Sequence, residues 1–135
     1  MYSEKYNAEQ HGSYIADWLM HRDMNGDLIG DLPQIGYVVS ERGEPIAAGF
    51  IRRCEGNYSL LDSLITNPTA PGDMRSSAID VVVEQLIKIS KELGLRSLVA
   101  HTKDKNTLVR AKRFGFQVLP HTLISLSLTS GKEVE

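Results

Sequence analysis

The chain has 135 residues, the usual size of one domain, and we expect a single domain whose tail at residues 130–135 is frayed. Apolar residues make up 41% and charged residues 24%, as in globular proteins, which excludes a disordered or fibrous chain. Fifteen basic and 17 acidic residues give a net charge of -2, which argues against a nucleic-acid partner. The chain has one cysteine, Cys54, which excludes an internal disulfide.

The sequence shows neither an export signal nor a membrane anchor. The first ten residues contain no apolar run of the kind that a secretory signal needs. No stretch reaches the roughly 18 apolar residues of a membrane-spanning helix, so we expect a cytoplasmic protein without a membrane partner. No two of the four histidines have metal-ligand spacing, and the sequence therefore predicts no metal site.

The first half of the chain predicts one helix followed by three antiparallel strands. Apolar residues at helical spacing predict a helix over Ala8–His21, with Asn7 as its cap. Glycine and proline residues predict a loop over Asp23–Gln34. Short apolar, β-branched runs between turns predict three strands that pair most simply as a meander: Ile35–Ser40, Pro45–Arg53 and Tyr58–Thr66.

The second half predicts a crossover. From Asp73 the apolar period changes to three or four residues and continues for roughly 20 residues to a stop at Gly94. A strand over Arg96–Thr102, a helix over Asn106–Phe114 and a half-buried strand over Gln117–Leu128 follow. The sequence therefore predicts an α/β (α+β) fold with a mixed sheet: an antiparallel meander, then a right-handed β-α-β crossover, with helices on both faces.

Three stretches carry a family resemblance. Residues Pro33 to Phe50 form the first hairpin, Leu64 to Leu86 form a strand, a loop and the long helix, and Asn106 to Phe116 form a helix that ends in Gly-Phe. In this order they resemble the GNAT superfamily of N-acetyltransferases. The chain is also similar to small GNAT-like proteins of bacteriophages and prophages, in which the acyl-CoA loop is altered.

The resemblance implies an acyl-CoA pyrophosphate site before the long helix, where free N–H groups and the helix dipole favour an anion. The family loop reads Arg or Gln, two variable residues, Gly, one variable residue, then Gly or Ala. The matching residues here are Arg75, Ser76, Ser77, Ala78, Ile79 and Asp80. Ala78 replaces the loop glycine, and the Asp80 carboxylate is expected to repel a pyrophosphate.

The resemblance also implies roles for backbone amides and for the last helix. Amides at Ile65 and Thr66 are expected to orient the thioester in a cleft between the third and fourth predicted strands. Asn106 is expected either to contact the coenzyme or only to cap its helix. The tyrosine that protonates the coenzyme A thiolate in many family members is absent from the helix before Gly115.

Two side chains have open alternatives. The resemblance implies a carboxylate in these strands as general base, and Asp62, the only acidic residue within the third predicted strand, is the candidate unless it pairs with Arg52 or Arg53. Arg75 is either a phosphate ligand or an ordinary residue in the first turn of its helix.

Two functions follow as hypotheses. The first is an acyltransferase that moves an acyl group, with acetyl as the first expectation, from acetyl-CoA to an unknown amine. The second is a non-catalytic GNAT-like binding or assembly module that has lost acyl-CoA binding. The altered loop and the missing tyrosine favour the second hypothesis, whereas the preserved frame favours the first. A filled cleft between the third and fourth strands, or an Asp80 side chain directed into the loop, would support the module.

Overall fold

The computed structural model describes residues 1–21 and 32–122 together with Ile124, Leu126 and Leu128. The chain divides into two compact units, the first comprising residues 1–101 and the second beginning at residue 102. The loop predicted over Asp23–Gln34 lies outside the described residues except for its last three. The expectation of a single domain stays a prediction.

The first unit contains one mixed sheet of five strands in the order β1-β2-β3-β4-β5. Its elements along the chain are β1 (Tyr2–Lys5), α1 (Ala8–His21), β2 (Ile35–Glu41), β3 (Glu44–Arg53), β4 (Tyr58–Thr66), α2 (Gly72–Glu92) and β5 (Ser97–Val99). Strands β1 to β4 pair antiparallel, and β5 pairs parallel with β4. The predicted meander and the crossover through α2 are both confirmed.

The edge strand β1 is the element that the sequence pattern misses. Residues Tyr2–Lys5 pair with β2, from Tyr2 opposite Ser40 to Lys5 opposite Tyr37. No residue of β1 is buried. A short edge strand of this kind needs no apolar alternation, so its mixed polar sequence does not reveal it.

The two long helices cover opposite faces of the sheet. Gly49 of β3 faces α2, because a Cβ atom at this position would lie 2.6 Å from Cγ1 of Val82. Its neighbours Ala48 and Phe50 point to the other face, since side chains alternate along a strand. On that face one buried cluster joins α1 to β2, β3 and β4, formed by Ile15, Trp18, Leu19, Val38, Ala48, Phe50 and Ile65. The predicted placement of helices on both faces is confirmed.

Aromatic rings extend the cluster beneath α1. Tyr6 contacts Phe50 edge-on, with ring centroids 4.8 Å apart, and Tyr14 lies 5.1 Å from Trp18. Burial, and then the neighbouring Glu4 and Tyr6, raise the pKa of Tyr14 to about 12. The Tyr14 phenol therefore stays neutral at physiological pH and contributes packing to this face.

The start of α1 has the predicted cap. The Asn7 Oδ1 accepts hydrogen bonds from the N–H groups of Glu9 at 2.9 Å and Gln10 at 3.2 Å. Two of the amides that lack a partner at a helix start are thus satisfied by one side chain.

Replacing Asn7 with alanine is expected to lower the free energy of unfolding by about 1 kcal/mol, because both capping bonds are lost. Urea unfolding followed by circular dichroism measures the change. Asn57→Ala is the matched control, since the Asn57 side chain is exposed and makes no hydrogen bond within the described residues. Equal losses from the two substitutions would contradict the capping role.

The second unit contains one described helix, α3 (Lys105–Arg113). Asp104 caps it through Oδ2, which accepts from the Thr107 N–H at 2.9 Å and the Thr107 hydroxyl at 2.7 Å. The helix ends before Gly115, whose φ is +94°.

The strand predicted over Gln117–Leu128 is wrong for the residues that the structure describes. None of them belongs to a strand, and the side chains of Ile124, Leu126 and Leu128 are more than four-fifths exposed. Apolar alternation indicates which side chains would share a face, but it does not supply a neighbouring strand for the hydrogen-bond ladder. The pattern is therefore compatible with extended chain outside a sheet.

Candidate active site

A bulge in β4 lies opposite Gly49. Phe50 of β3 faces Asp62 and Ala48 faces Ile65, so two residues of β4, Ser63 and Leu64, share the single position opposite Gly49. Ser63 has φ +60°, in the left-handed region that side chains rarely adopt. A bulge of this kind bends its strand and increases its twist. The last residues of β4 therefore take a different direction from its first ones.

Beyond the bulge, β4 has no parallel partner among the described residues of the first unit. β5 pairs only with Tyr58–Leu60, and its last residue, Val99, is opposite Leu60. The remaining residues of β4, from Leu61 to Thr66, continue past the end of β5. The cleft that the resemblance implies between the third and fourth predicted strands stays a prediction.

The hydrogen-bond ladder between β3 and β4 determines which amides of β4 point away from β3, toward the edge that β5 leaves unpaired beyond Leu60 (the open edge of β4). The Asn67 N–H donates to the Ile46 carbonyl at 2.7 Å. Because bonded and non-bonded pairs alternate along an antiparallel ladder, Thr66 turns its N–H away from β3, whereas Ile65 turns its N–H toward β3. Ile65 is also buried, with a 2% exposed side chain. Of the two amides predicted to orient a thioester, the Thr66 amide is the one directed to the open edge.

The connection from β4 to α2 is held by Asn67. Its Oδ1 accepts from the Thr69 N–H at 3.0 Å and from the Thr69 hydroxyl at 2.8 Å, and its Nδ2 donates to the Pro45 carbonyl at 3.0 Å. One side chain therefore joins the loop to the start of β3. From the sequence, Asn67 is predicted only to end a strand. Its role in holding the loop depends on its hydrogen bond to the Pro45 carbonyl, which the structure shows.

Helix α2 begins at Gly72, within one residue of the helical period predicted from Asp73, and therefore includes the residues matched to the family loop. The first helical hydrogen bond runs from the Arg75 N–H to the Pro71 carbonyl at 2.9 Å. The N–H groups of Gly72 and Asp73 precede this bond at the exposed start of the helix, where the dipole is positive. The Asp73 Oδ1 accepts the next amide, the N–H of Met74, at 2.9 Å.

The residues from Arg75 to Asp80 are therefore helical, and the prediction that they form a phosphate loop is wrong. Their amides bond to carbonyls one turn earlier and are not available to a ligand. Ala78, which replaces the glycine of the loop pattern, is fully buried in the α2 face that packs on the sheet. Alanine is the strongest helix former, which accounts for a helix where the family pattern has a glycine loop.

The polar side chains of this segment lie at different distances from the start of α2. Ser76 and Ser77 are exposed on the second turn. Asp80 is eight residues beyond Gly72, which places it about 12 Å along the helix axis at 1.5 Å per residue. That distance exceeds the Debye length of about 8 Å at physiological ionic strength. The expected repulsion between Asp80 and an anion at the helix start is therefore largely screened.

An open cleft of about 330 Å³ lies where α1, β4 and α2 come together, lined by His21, Thr66, Pro68 and Arg75. The Arg75 guanidinium lies over the helix start, since its Nη2 is 3.7 Å from the position of a Cβ atom at Gly72. The Arg75 Nε is enclosed and has no hydrogen-bond acceptor among the described residues. This edge of the cleft combines a cation with helix-start amides, the arrangement that binds a phosphate group.

Two of the described cleft residues, His21 and Pro68, are not among the site residues predicted from the sequence, and of these His21 carries the reactive side chain. It is the last residue of α1 and carries no motif, so only the end of α1 meeting the end of β4 reveals it.

Asp62 is engaged by its neighbours. Its Oδ2 accepts from the Arg52 Nε at 2.9 Å, and its Oδ1 accepts from the Ser63 hydroxyl at 2.8 Å. The alternative in which Asp62 pairs with Arg52 is the one that the structure contains. A role as general base stays a prediction, and a proton would have to compete with these two donors.

Replacing Asp62 with asparagine is expected to change the free energy of unfolding by less than about 1 kcal/mol, because partly exposed ion pairs stabilise proteins little. The side chains of Arg52 and Asp62 are 46% and 29% exposed. Guanidinium chloride would screen the pair, so urea unfolding is the suitable measurement. A loss above 2 kcal/mol would contradict this assessment.

Asn106 belongs to the second unit and is the second residue of α3. The cap of that helix is Asp104, so the alternative in which Asn106 serves as the cap is wrong. Its side chain is exposed, and a contact with the coenzyme stays a prediction.

In residues 1–21 and 32–122, no cluster of three or more His, Cys, Asp or Glu side chains is suited to hold a metal ion. The helices described here are too short or too polar for any of them to cross a membrane.

Comparison with known proteins identifies the fold by structure alone. No protein-family model matches the sequence, and no curated protein matches it significantly. The Mycobacterium tuberculosis protein Rv2747, solved in complex with CoA, superposes with a TM-score of 0.73 at 13% identity over 93% of this chain and 76% of its own. The aminoglycoside N-acetyltransferase AAC(6')-Iy, in complex with CoA, gives 0.67 at 13% identity over 95% of each chain.

A predicted acetyltransferase from Clostridium acetobutylicum, solved with acetyl-CoA, gives a TM-score of 0.65 at 16% identity over 94% of this chain and 96% of its own. These neighbours share the mixed sheet and its helices with this chain. The fold predicted from the sequence is thereby confirmed.

Proposed function

We propose that this chain, which has the fold of the GNAT acetyltransferases, transfers an acyl group from acyl-CoA to an amine. Acetyl-CoA is the first candidate for the co-substrate. The observation that carries the proposal is the cleft at the end of β4, because the Thr66 amide, the Arg75 guanidinium and the start of α2 meet there. Solved neighbours with the same fold contain CoA or acetyl-CoA.

The start of α2 supplies the anchor for a pyrophosphate. The amides of Gly72 and Asp73 carry the positive end of the helix dipole, and Arg75 adds a full positive charge beside them. Asp73 weakens the binding of an anion at this site, because its negatively charged carboxylate lies at the helix start and already accepts a hydrogen bond from the Met74 N–H. We therefore expect a site of moderate affinity that depends strongly on Arg75.

The open edge of β4 supplies the polarising group. A thioester carbonyl placed beside Thr66 would accept a hydrogen bond from its N–H, which stabilises the oxyanion that develops when the amine attacks. The Asn67 bonds that join the loop to β3 keep this amide and the helix start in a fixed relation. Catalysis on this account comes from positioning and polarisation by backbone groups.

The altered loop and the missing tyrosine still favour the non-catalytic module, whereas the position of Asp80 and the open cleft at Thr66 do not. The cleft lined by Thr66 and Arg75 is open, with a volume of about 330 Å³, and no described residue of β5 lines it. The cleft expected between the third and fourth predicted strands stays a prediction. Asp80 is inside α2, about 12 Å along the axis from the helix start. We therefore favour the enzyme. A bacteriophage source and a cytoplasmic location stay predictions.

The test is product formation. The purified protein is incubated with acetyl-CoA and, separately, with a polyamine, an aminoglycoside, a lysine-containing peptide and a peptide with a free amino terminus. Mass spectrometry is expected to show a gain of one acetyl group on one of these amines, together with free CoA thiol. Acetyl-CoA that remains bound but unreacted with every amine would contradict the enzyme and favour a binding module.

A further inference from the structure

The proposed reaction needs a proton acceptor in the cleft. An amine that is protonated at neutral pH becomes a nucleophile only when it loses a proton. Asp62, the acid in β4, already accepts hydrogen bonds from Arg52 and Ser63 through its two oxygens. A different group is therefore required beside the open edge of β4.

Among the cleft residues that the structure describes, one side chain carries ring nitrogens that can accept and donate a proton. Of these four described lining residues, proline has no titratable side chain, a threonine hydroxyl does not ionise in the physiological range, and arginine stays charged. The His21 imidazole is the remaining group, and histidine has both an acceptor and a donor nitrogen near neutrality. It lies in the same cleft as Thr66, where the thioester is expected.

The fold fixes where His21 is. It ends α1, and Leu19, Trp18 and Ile15, which are two, three and six residues earlier, anchor this helix in the core beneath it. The imidazole itself is exposed, so an amine and solvent can reach it. Among the described residues, two charged groups are near this position: Asp17, one turn earlier on α1, and Arg75, which lines the same cleft from α2.

We propose that the His21 imidazole accepts the proton of the acceptor amine, an inference that rests on the proposed function. The amine nitrogen forms a bond to the thioester carbon, and the carbon–sulfur bond breaks. The ammonium form of the amine first gives one proton through His21 to solvent, and the neutral nitrogen then attacks. The second nitrogen proton passes to His21 and then to the departing thiolate, so the products are the amide, the free CoA thiol and one proton in solution. His21 returns to its neutral form, and the same side chain supplies the acid that the missing tyrosine provides in many family members.

The test separates binding from proton transfer. His21→Gln keeps the size and polarity of the side chain but removes its titration. We expect acetyl-CoA to bind this variant within about twofold of the natural protein, since Gln adds no charge to the cleft. Acyl transfer, measured as thiol release with the best amine of the panel, is expected to fall by about 10²- to 10⁴-fold in kcat/KM. The acidic limb of the pH profile of kcat/KM is expected to disappear with it.

His101→Gln is the matched control, because His101 is an exposed histidine of the first unit that does not line the cleft. Its rate and pH profile are expected to equal those of the natural protein. Unchanged rate and unchanged pH profile in His21→Gln would overturn the inference and leave the acyltransferase standing. A natural protein that binds acetyl-CoA without turning over any amine would overturn both the acyltransferase and the role of His21. If His21→Gln loses only acetyl-CoA binding, His21 is a binding residue and the inference is overturned.

Discussion

Replacing Arg75 with glutamate is expected to weaken acetyl-CoA binding by about 100-fold. A hydrogen bond to a charged group contributes about 1.5–3 kcal/mol, which is roughly 10- to 150-fold in affinity. The new carboxylate would also repel a pyrophosphate at the start of α2, where Arg75 lies over Gly72. Isothermal titration calorimetry on both proteins measures the difference.

The matched control is Arg96→Glu, which changes the net charge equally at an exposed residue beyond the other end of α2. Its affinity for acetyl-CoA is expected to stay within about twofold of the natural value, since the site lies more than a Debye length away. Circular dichroism of both variants checks that α2 remains folded. Equal weakening by the two substitutions would show that long-range charge, and not Arg75 itself, governs binding.

Replacing Phe50 with alanine is expected to lower the free energy of unfolding by about 3–5 kcal/mol. The ring is fully buried beneath α1 and contacts Tyr6 edge-on at 4.8 Å. It also fills the space above Gly36, where a Cβ atom would lie 2.3 Å from Cδ2 of the ring. Because Gly36 has no side chain to fill the gap, the cavity is expected to persist.

Urea unfolding at low temperature measures this loss, since a typical domain has only about 5–15 kcal/mol in total. Tyr2→Ala, which removes an aromatic ring that is 66% exposed on β1, is the control and is expected to cost less than about 1 kcal/mol. A Phe50→Ala loss no larger than that of Tyr2→Ala would contradict the packing described for the α1 face.

The parts of the fold that follow from local pattern could be predicted. Helix α1 begins and ends at the predicted residues, because Asn7 caps it and its apolar stripe meets the sheet. Strand β4 has the predicted bounds, set by the turn before Tyr58 and the Asn-Pro stop after Thr66. Strand β1 could not be predicted, because its pairing with β2 comes from tertiary context and leaves no pattern in a half-exposed edge strand.

The candidate site was harder to predict, because its parts depend on backbone geometry. The altered motif from Arg75 to Asp80 correctly indicates the region of α2. It does not show which amides stay free at the helix start, because that depends on where the first helical hydrogen bond forms, here at the Pro71 carbonyl. The bulge at Ser63 has no signature, since its left-handed conformation is imposed by the register against Gly49. Arg75 could be selected from the motif, whereas His21 could be selected only from the structure, in which the ends of α1 and β4 line the same cleft.

Calorimetric titration of acetyl-CoA into the natural protein tests the central claim most directly, since the claim is that the cleft beside β4 and α2 still accepts acyl-CoA. We expect one site per chain with a dissociation constant between about 1 μM and 1 mM, the usual range of enzyme substrates. A ligand at 100 times its dissociation constant is also expected to raise the free energy of unfolding by about 2.7 kcal/mol. No heat and no stabilisation at millimolar acetyl-CoA would contradict the claim.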